Sequence, residues 1–403
     1  MKYDFTSILD RAGKDAIAVD AIGAPGAGGF PAPDEGFDSI PMWVADMSFP
    51  VAPCITRALA ARIEHPSFGY FMPREAYFDA IVDWHKRRNG VRDMRAEHIG
   101  YENGVLGGLV AALFAFASPG DAVLVHSPTY IGFTSAIGNA GFRIVHSPLV
   151  RDEAGVWRMD FDDMERKLRE HKIRVAVFCS PHNPCGRVWE RAEVERAMEL
   201  FRERDCIVVS DEIWSDIQRP GQVHIPVQSV SDDARRRTVA LYAPSKTFNL
   251  AGLVGSYHVI YDDSLRRRVT AQSRIAHYND MNVLSMHALI GAYSPEGARW
   301  VDELCEVVAG NVDAACDFFE RRAPGIEFFR PQGTYMLFAD CSRWCEEHGR
   351  SLDELLAAGW RVGVGWQDGR PFHGPCHIRM NLALPRARMQ EAFDRLGTYV
   401  FAD

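Results

Sequence analysis

The sequence predicts an α/β fold, a mostly parallel central sheet with helices on both faces, followed by a smaller α+β domain. Three observations carry this reading. Short apolar runs alternate with helical stretches from about residue 50 to residue 260. Such runs fit strands that are covered on both faces. From about Leu289 the pattern changes to one long helical region followed by isolated strand-like pieces. The third observation is length, since 403 residues suffice for one large domain plus a smaller one.

Taken in order, residues 20–41 are rich in Gly, Pro and Ala and read as an extended arm or loop. Its glycines follow no strand, so they do not make a dinucleotide-binding turn. Pro53 to Ile63 and Arg74 to Arg88 have helical periodicity. Leu106 to Ala117 is the most apolar long stretch; it is too short to cross a bilayer and fits a buried helix. Strands are expected at Ala122 to Val125, Arg143 to Val145, Val175 to Cys179, Ile207 to Val209, Thr238 to Tyr242 and Ser256 to Ile260. Helical stretches such as Arg191 to Arg204 separate most of them. Beyond Leu289 come a helix from Gly297 to Arg322, strand-like pieces at Gly325 to Phe329 and Thr334 to Phe338, and a helix at Leu352 to Ala358. A strand at His377 to Asn381 and a helix at Arg386 to Phe401 close the chain. The expected organisation is an N-terminal arm (1–45) that folds back on the small domain, a large domain (46–288) and a C-terminal small domain (289–403).

The formal net charge is −9, and basic triplets occur only as Lys86–Arg88, Arg235–Arg237 and Arg266–Arg268. A nucleic-acid partner is therefore not expected. Nine cysteines include no CxxC pair, and the first eleven residues are too polar for a signal peptide. Reduced thiols, a cytoplasmic location and no membrane partner are expected. Cys341, Cys345 and His348 form the one metal-like cluster, but no second half matches it, so no metal is expected.

The chemistry-bearing residues follow the strand-like runs. Asn183 lies in Ser180-Pro-His-Asn-Pro-Cys-Gly186, Asp211 ends Cys206-Ile-Val-Val-Ser-Asp211, and Lys246 lies in Tyr242-Ala-Pro-Ser-Lys-Thr-Phe248. Ligands on such sheets bind beyond the carboxyl ends of the strands. An amine, a carboxylate and an amide placed there suit a pyridine aldehyde cofactor. Lysine forms the imine, aspartate pairs with the ring nitrogen, and asparagine reaches the ring hydroxyl. Gly104, Val105 and Leu106 at a helix start offer backbone N–H groups to an anion, and Ser245 adds a hydroxyl. Tyr130, just after a strand, is a candidate ring platform. Arg379 sits in an apolar strand-like run and requires an anion, either a substrate carboxylate or an internal acid.

These segments, in this order, resemble fold type I pyridoxal-phosphate enzymes of the aspartate aminotransferase superfamily, and within it the cystathionine β-lyase (C–S lyase) group. Met42-Trp-Val-Ala-Asp-Met-Ser-Phe-Pro50, Phe68-Gly-Tyr70, the Ser180-to-Trp189 run, Ser210-Asp-Glu-Ile-Trp-Ser-Asp216, Ser245-Lys-Thr-Phe-Asn-Leu-Ala-Gly-Leu253 and Ile378-Arg-Met-Asn-Leu-Ala383 carry the resemblance, which spans nearly the whole chain. It implies pyridoxal 5′-phosphate as cofactor, with Lys246 as the Schiff-base residue, Asp211 at the pyridinium and Asn183 at the ring hydroxyl. It further implies Tyr130 as the stacking ring, Gly104, Val105, Leu106 and Ser245 at the phosphate, and Arg379 as the carboxylate clasp. Tyr70 matches a tyrosine that reaches the phosphate from a neighbouring subunit, which implies a homodimer with shared sites. The chain departs from the pattern at Val254, where many aminotransferases carry arginine, at Ala243, at Trp214, where these lyases often have histidine, and at Ser48. The implied activity is β-elimination from L-cystathionine or a related cysteine S-conjugate. Transamination is the alternative, and a regulatory binding role on top of catalysis is a third reading.

Overall fold

A computed structural model describes residues 2–24, 30–276 and 279–402. Strand β1 (Ile40–Pro41) precedes the eight strands of one large sheet. These are β2 (Ile99–Glu102), β3 (Ala122–Ser127), β4 (Arg143–Arg151), β5 (Trp157–Met159), β6 (Val175–Cys179), β7 (Ile207–Asp211), β8 (Thr238–Tyr242) and β9 (Ser256–Val259). Their spatial order is β2-β9-β8-β7-β6-β3-β4-β5. The central run from β4 through β3, β6 and β7 to β8 is parallel. β9 runs antiparallel to both β8 and β2, and β5 runs antiparallel to β4.

Alternation along the strands explains why the sheet is covered twice. Leu124, Ala176, Phe178 and Val208 pack into one buried cluster with Met164, Ala197 and Phe201 from flanking helices. Val123, Val125, Val177, Val209 and Val239 pack into another with Leu109 and Leu113. Successive side chains on a strand point to opposite faces, so both sets must be apolar.

The remaining strands are β10 (Glu327–Phe328), β11 (Met336–Asp340), β12 (Val364–Gly365), β13 (Gln367–Asp368) and β14 (His377–Asn381). β10-β11-β14-β13 form a small antiparallel sheet. The Pro295–Arg322 helix leads into it, started by Ser294, whose Oγ accepts from Gly297 N, and by proline in its first turn. The N-terminal segment folds back here. β1 pairs with β12, and Asp38 pairs with Arg388 and Arg395 of the last helix. Of the Gly-rich arm, residues 25–29 lie outside the described residues. The rest closes a loop in which Gly23 N donates to Phe30 O, and Phe30 packs on Trp43 and Trp360. Among the described residues no helix is long and apolar enough to cross a membrane. Cys341 and Cys345 are buried at the Ser342–Glu347 helix.

Candidate active site

One cavity of about 230 Å³ opens at the carboxyl ends of the large sheet's strands. Gly104, Val105 and Leu106 reach it from the turn after β2, and Tyr130 from the turn after β3. Asn183 arrives from the loop after β6, Asp211 from the end of β7, and Ser245 and Lys246 from the short turn after β8. The sheet thus gathers residues that are far apart in sequence. Trp214 and Val254 also line the cavity.

Lys246 Nζ donates to Ala45 O at 2.7 Å and stands 5.7 Å from the centre of the Trp214 ring. Enclosure by protein, reinforced by the charge of Arg379, lowers its pKa from 10.5 to about 8. A lysine in that range keeps a usable neutral fraction near neutrality. Asp211 is buried, and burial raises its pKa to about 7 although Ile213 N donates to its Oδ1. A cationic partner at this carboxylate would stabilise its ionised form.

The first turn of the Val105–Phe116 helix points backbone N–H groups at the cavity, and Gly104 caps it at φ 80°. A Cβ at Gly104 would meet nothing within 4 Å, so the turn faces open space. Gly132 serves a different purpose: a Cβ there would come within 2.3 Å of the Tyr130 ring. The missing Cβ leaves room for that ring and for the Leu106 side chain. Val254 adopts the left-handed conformation (φ 52°), unusual for a β-branched residue, at the cavity wall.

Arg379, the middle residue of β14, is buried against the site. Its Nη1 donates to Asn183 Oδ1 at 3.1 Å, and its Nη2 donates to Gln367 Oε1 at 2.6 Å and to Trp43 O at 3.1 Å. The guanidinium lies 4.2 Å from the centre of the Phe372 ring. Its Nε has no partner, and among the described residues no carboxylate pairs with it. Burial lowers its pKa from 12.5 to about 10. Of the two anions open on sequence grounds, the internal acid is therefore not supplied. Tyr70 is fully exposed and does not line this cavity.

The pattern of the aminotransferase class I and II family matches residues 40–396. The chain belongs to this family. It is 34% identical over 366 residues to "Cystathionine beta-lyase PatB" of Bacillus subtilis, covering 89% of this chain and 92% of that protein. Among solved structures it is similar to cystalysin from Treponema denticola, which contains pyridoxal 5′-phosphate, with TM-score 0.90, 28% identity and 98% of each chain covered. It is also similar to a pyridoxal-phosphate-bound putative aminotransferase from Clostridium difficile, with TM-score 0.89, 30% identity and 98% and 99% coverage. The cofactor is pyridoxal 5′-phosphate, and the residues present fit it: an amine, a buried acid and a helix start with open space share one cavity.

Sequence reasoning did not find Gln367 and Phe372, which hold Arg379, or Tyr335 and Asn381, which hold the segment beside Lys246. Trp43 and Ala45 lay inside a run already singled out, and Tyr335 and Asn381 inside expected strands. Gln367 and Phe372 carry no local signal, because only the pairing of β13 with β14 and the turn between them bring them to Arg379.

Proposed function

We propose that this enzyme is a carbon–sulfur lyase that eliminates thiol from L-cystathionine or a related L-cysteine S-conjugate, leaving pyruvate and ammonia. The observation that carries an amino-acid substrate is Arg379, a buried cation with no acid partner among the described residues. Its Nε carries no hydrogen bond, which leaves the guanidinium donor capacity for an α-carboxylate. Bound pyridoxal phosphate supplies an electron sink for the Cα of an attached amino acid.

The chain's own residues do the rest. Lys246 holds the cofactor aldehyde and, once displaced by the substrate amine, takes the Cα proton onto Nζ. Asp211 keeps a proton on the ring nitrogen. Asn183 reaches the ring hydroxyl, and Tyr130 stacks on the ring. The Gly104–Leu106 amides and Ser245 bind the phosphate. Tyr70 completes the phosphate site of a second copy in a homodimer. Loss of the Cα proton prepares departure of the thiolate from Cβ, and the remaining three-carbon fragment hydrolyses. Val254, where many aminotransferases carry arginine, favours elimination.

Transamination starts from the same proton transfer, and the similarity to a putative aminotransferase keeps it in view. The test is pyruvate release from L-cystathionine by purified protein with added pyridoxal phosphate and no oxo acid. Pyruvate with equimolar thiol is expected. Amino-group transfer that needs an oxo acid, without pyruvate, would replace the lyase reading.

A further inference from the structure

The segment Trp43–Met47 is an irregular strap that touches the cavity at Ala45, and every carbonyl along it accepts a side-chain hydrogen bond. Arg379 Nη2 donates to Trp43 O, Asn381 Nδ2 to Val44 O at 2.6 Å and also to Asp46 O, and Asn249 Nδ2 to Met47 O at 2.8 Å. Ala45 O accepts twice, from Lys246 Nζ at 2.7 Å and from Tyr335 Oη at 3.0 Å. Two of these donors, Lys246 and Arg379, are the groups that cofactor and substrate carboxylate engage. When the amine is engaged by the cofactor, Ala45 O keeps only Tyr335.

Tyr335 is built for that task. It is wholly buried on the small-sheet side, directly before β11, and its ring meets Trp214 edge to face at 4.7 Å. Trp214 in turn lies beside Lys246 Nζ. One phenol therefore fixes both the carbonyl and the ring that flank the lysine amine.

We propose that Tyr335 is a positioning residue for Lys246: it holds the Ala45 carbonyl in place while the amine is bound elsewhere, so that the freed amine returns to a fixed acceptor. This rests on the role given to Lys246 above. With the carbonyl slack, the amine would spend less time in the geometry that takes the proton. The bound substrate would be little affected, because Tyr335 donates to backbone and not to Arg379.

The test uses Tyr335→Phe, which keeps the ring and removes only the hydroxyl. Hydrogen exchange at the Met47 and Ser48 amides, held by Asn249 Oδ1 and Ala383 O, reports on the strap. Without cofactor, Lys246 still holds Ala45 O, and exchange in the variant should match the wild type. With cofactor bound, exchange in the variant should be about fivefold faster, the size expected for one lost hydrogen bond. Its kcat should fall about tenfold with KM unchanged, and the isotope effect with Cα-deuterated substrate should grow. Equal exchange in variant and wild type with cofactor bound would overturn the proposal. Equal loosening with and without cofactor would also overturn it, making Tyr335 a packing residue. Borohydride reduction and mass spectrometry on the same samples separate the two levels of argument. Cofactor fixed to a residue other than Lys246 would remove the underlying reading, whatever Tyr335 does.

Discussion

Lys246 and Arg379 are two cations enclosed by one small site, and their repulsion has a measurable consequence. The lysine is lowered from 10.5 to about 8, first by burial and then by Arg379. The neutral amine attacks an aldehyde, and its fraction rises with pH until the pKa is passed. Capture of pyridoxal phosphate by the cofactor-free protein should therefore accelerate about tenfold per pH unit below 8 and level off above it. Replacing Arg379 by methionine removes the second cause and leaves the first. The midpoint should move up from about 8 without reaching the value of a free lysine. Stopped-flow absorbance across the pH range measures both curves, and coincident curves would show that the arginine charge does not reach the amine. The same residue illustrates what was legible. That a buried arginine at 379 needs an anion follows from its apolar neighbours in sequence. That no acid among the described residues provides it, and that Gln367 and Phe372 hold it instead, follows only from the sheet pairing.

At the scale of elements, a strand buried on both faces is the most legible in sequence. Val175–Cys179, Thr238–Tyr242 and His377–Asn381 stand where their apolar runs ended. The Ile99–Glu102 and Trp157–Met159 strands have no such signal, being short and holding Gly, Glu or Arg. The antiparallel direction of β9 was equally hidden, since an apolar run does not encode which way it points. Two glycines show how elements shape the site in different ways. At Gly132 the backbone is ordinary helix, but a Cβ would press on the Tyr130 ring at 2.3 Å and on Leu106 at 2.9 Å. At Gly104 the space is open, but φ is 80°. Gly132→Ala should displace the ring and weaken cofactor binding about fivefold, the loss of one aromatic contact. Gly104→Ala should strain the helix start itself by about 1–2 kcal/mol and lower the melting temperature of the cofactor-free protein as well. Cofactor titration and thermal melts of both variants separate these cases. A Gly132→Ala protein that binds cofactor normally would mean that the Tyr130 ring is not the platform.

At the scale of the whole molecule, the Tyr70 stretch stands outside the cavity of its own chain. Tyr70 is fully exposed, and Phe68 and Met72 beside it are exposed too. An apolar and aromatic stretch without a covering element in the same chain is a surface that a second copy of the chain would bury. In a symmetric dimer the same patch serves both subunits, so each Tyr70 would enter the other's cavity. This arrangement makes a sharp prediction about mixed dimers. Lys246→Ala removes the amine from one subunit's site, and Tyr70→Ala removes the phosphate contact from the other's. Each homodimer should be inactive or severely impaired. In a hybrid, the subunit that retains Lys246 is faced by the subunit that retains Tyr70, and that site is whole. The second site of the same hybrid lacks both groups. Random reassociation of equal amounts should therefore restore about a quarter of wild-type activity, half the dimers being hybrids with one good site each. If Tyr70 instead acts on its own subunit, both sites of every hybrid carry a defect and mixing recovers nothing beyond the average of the two parents; if it does not act at all, the Tyr70→Ala homodimer is active before any mixing. Turnover measured before and after denaturant-mediated subunit exchange decides between them, with an unmixed sample of each variant carried through the same exchange as the reference.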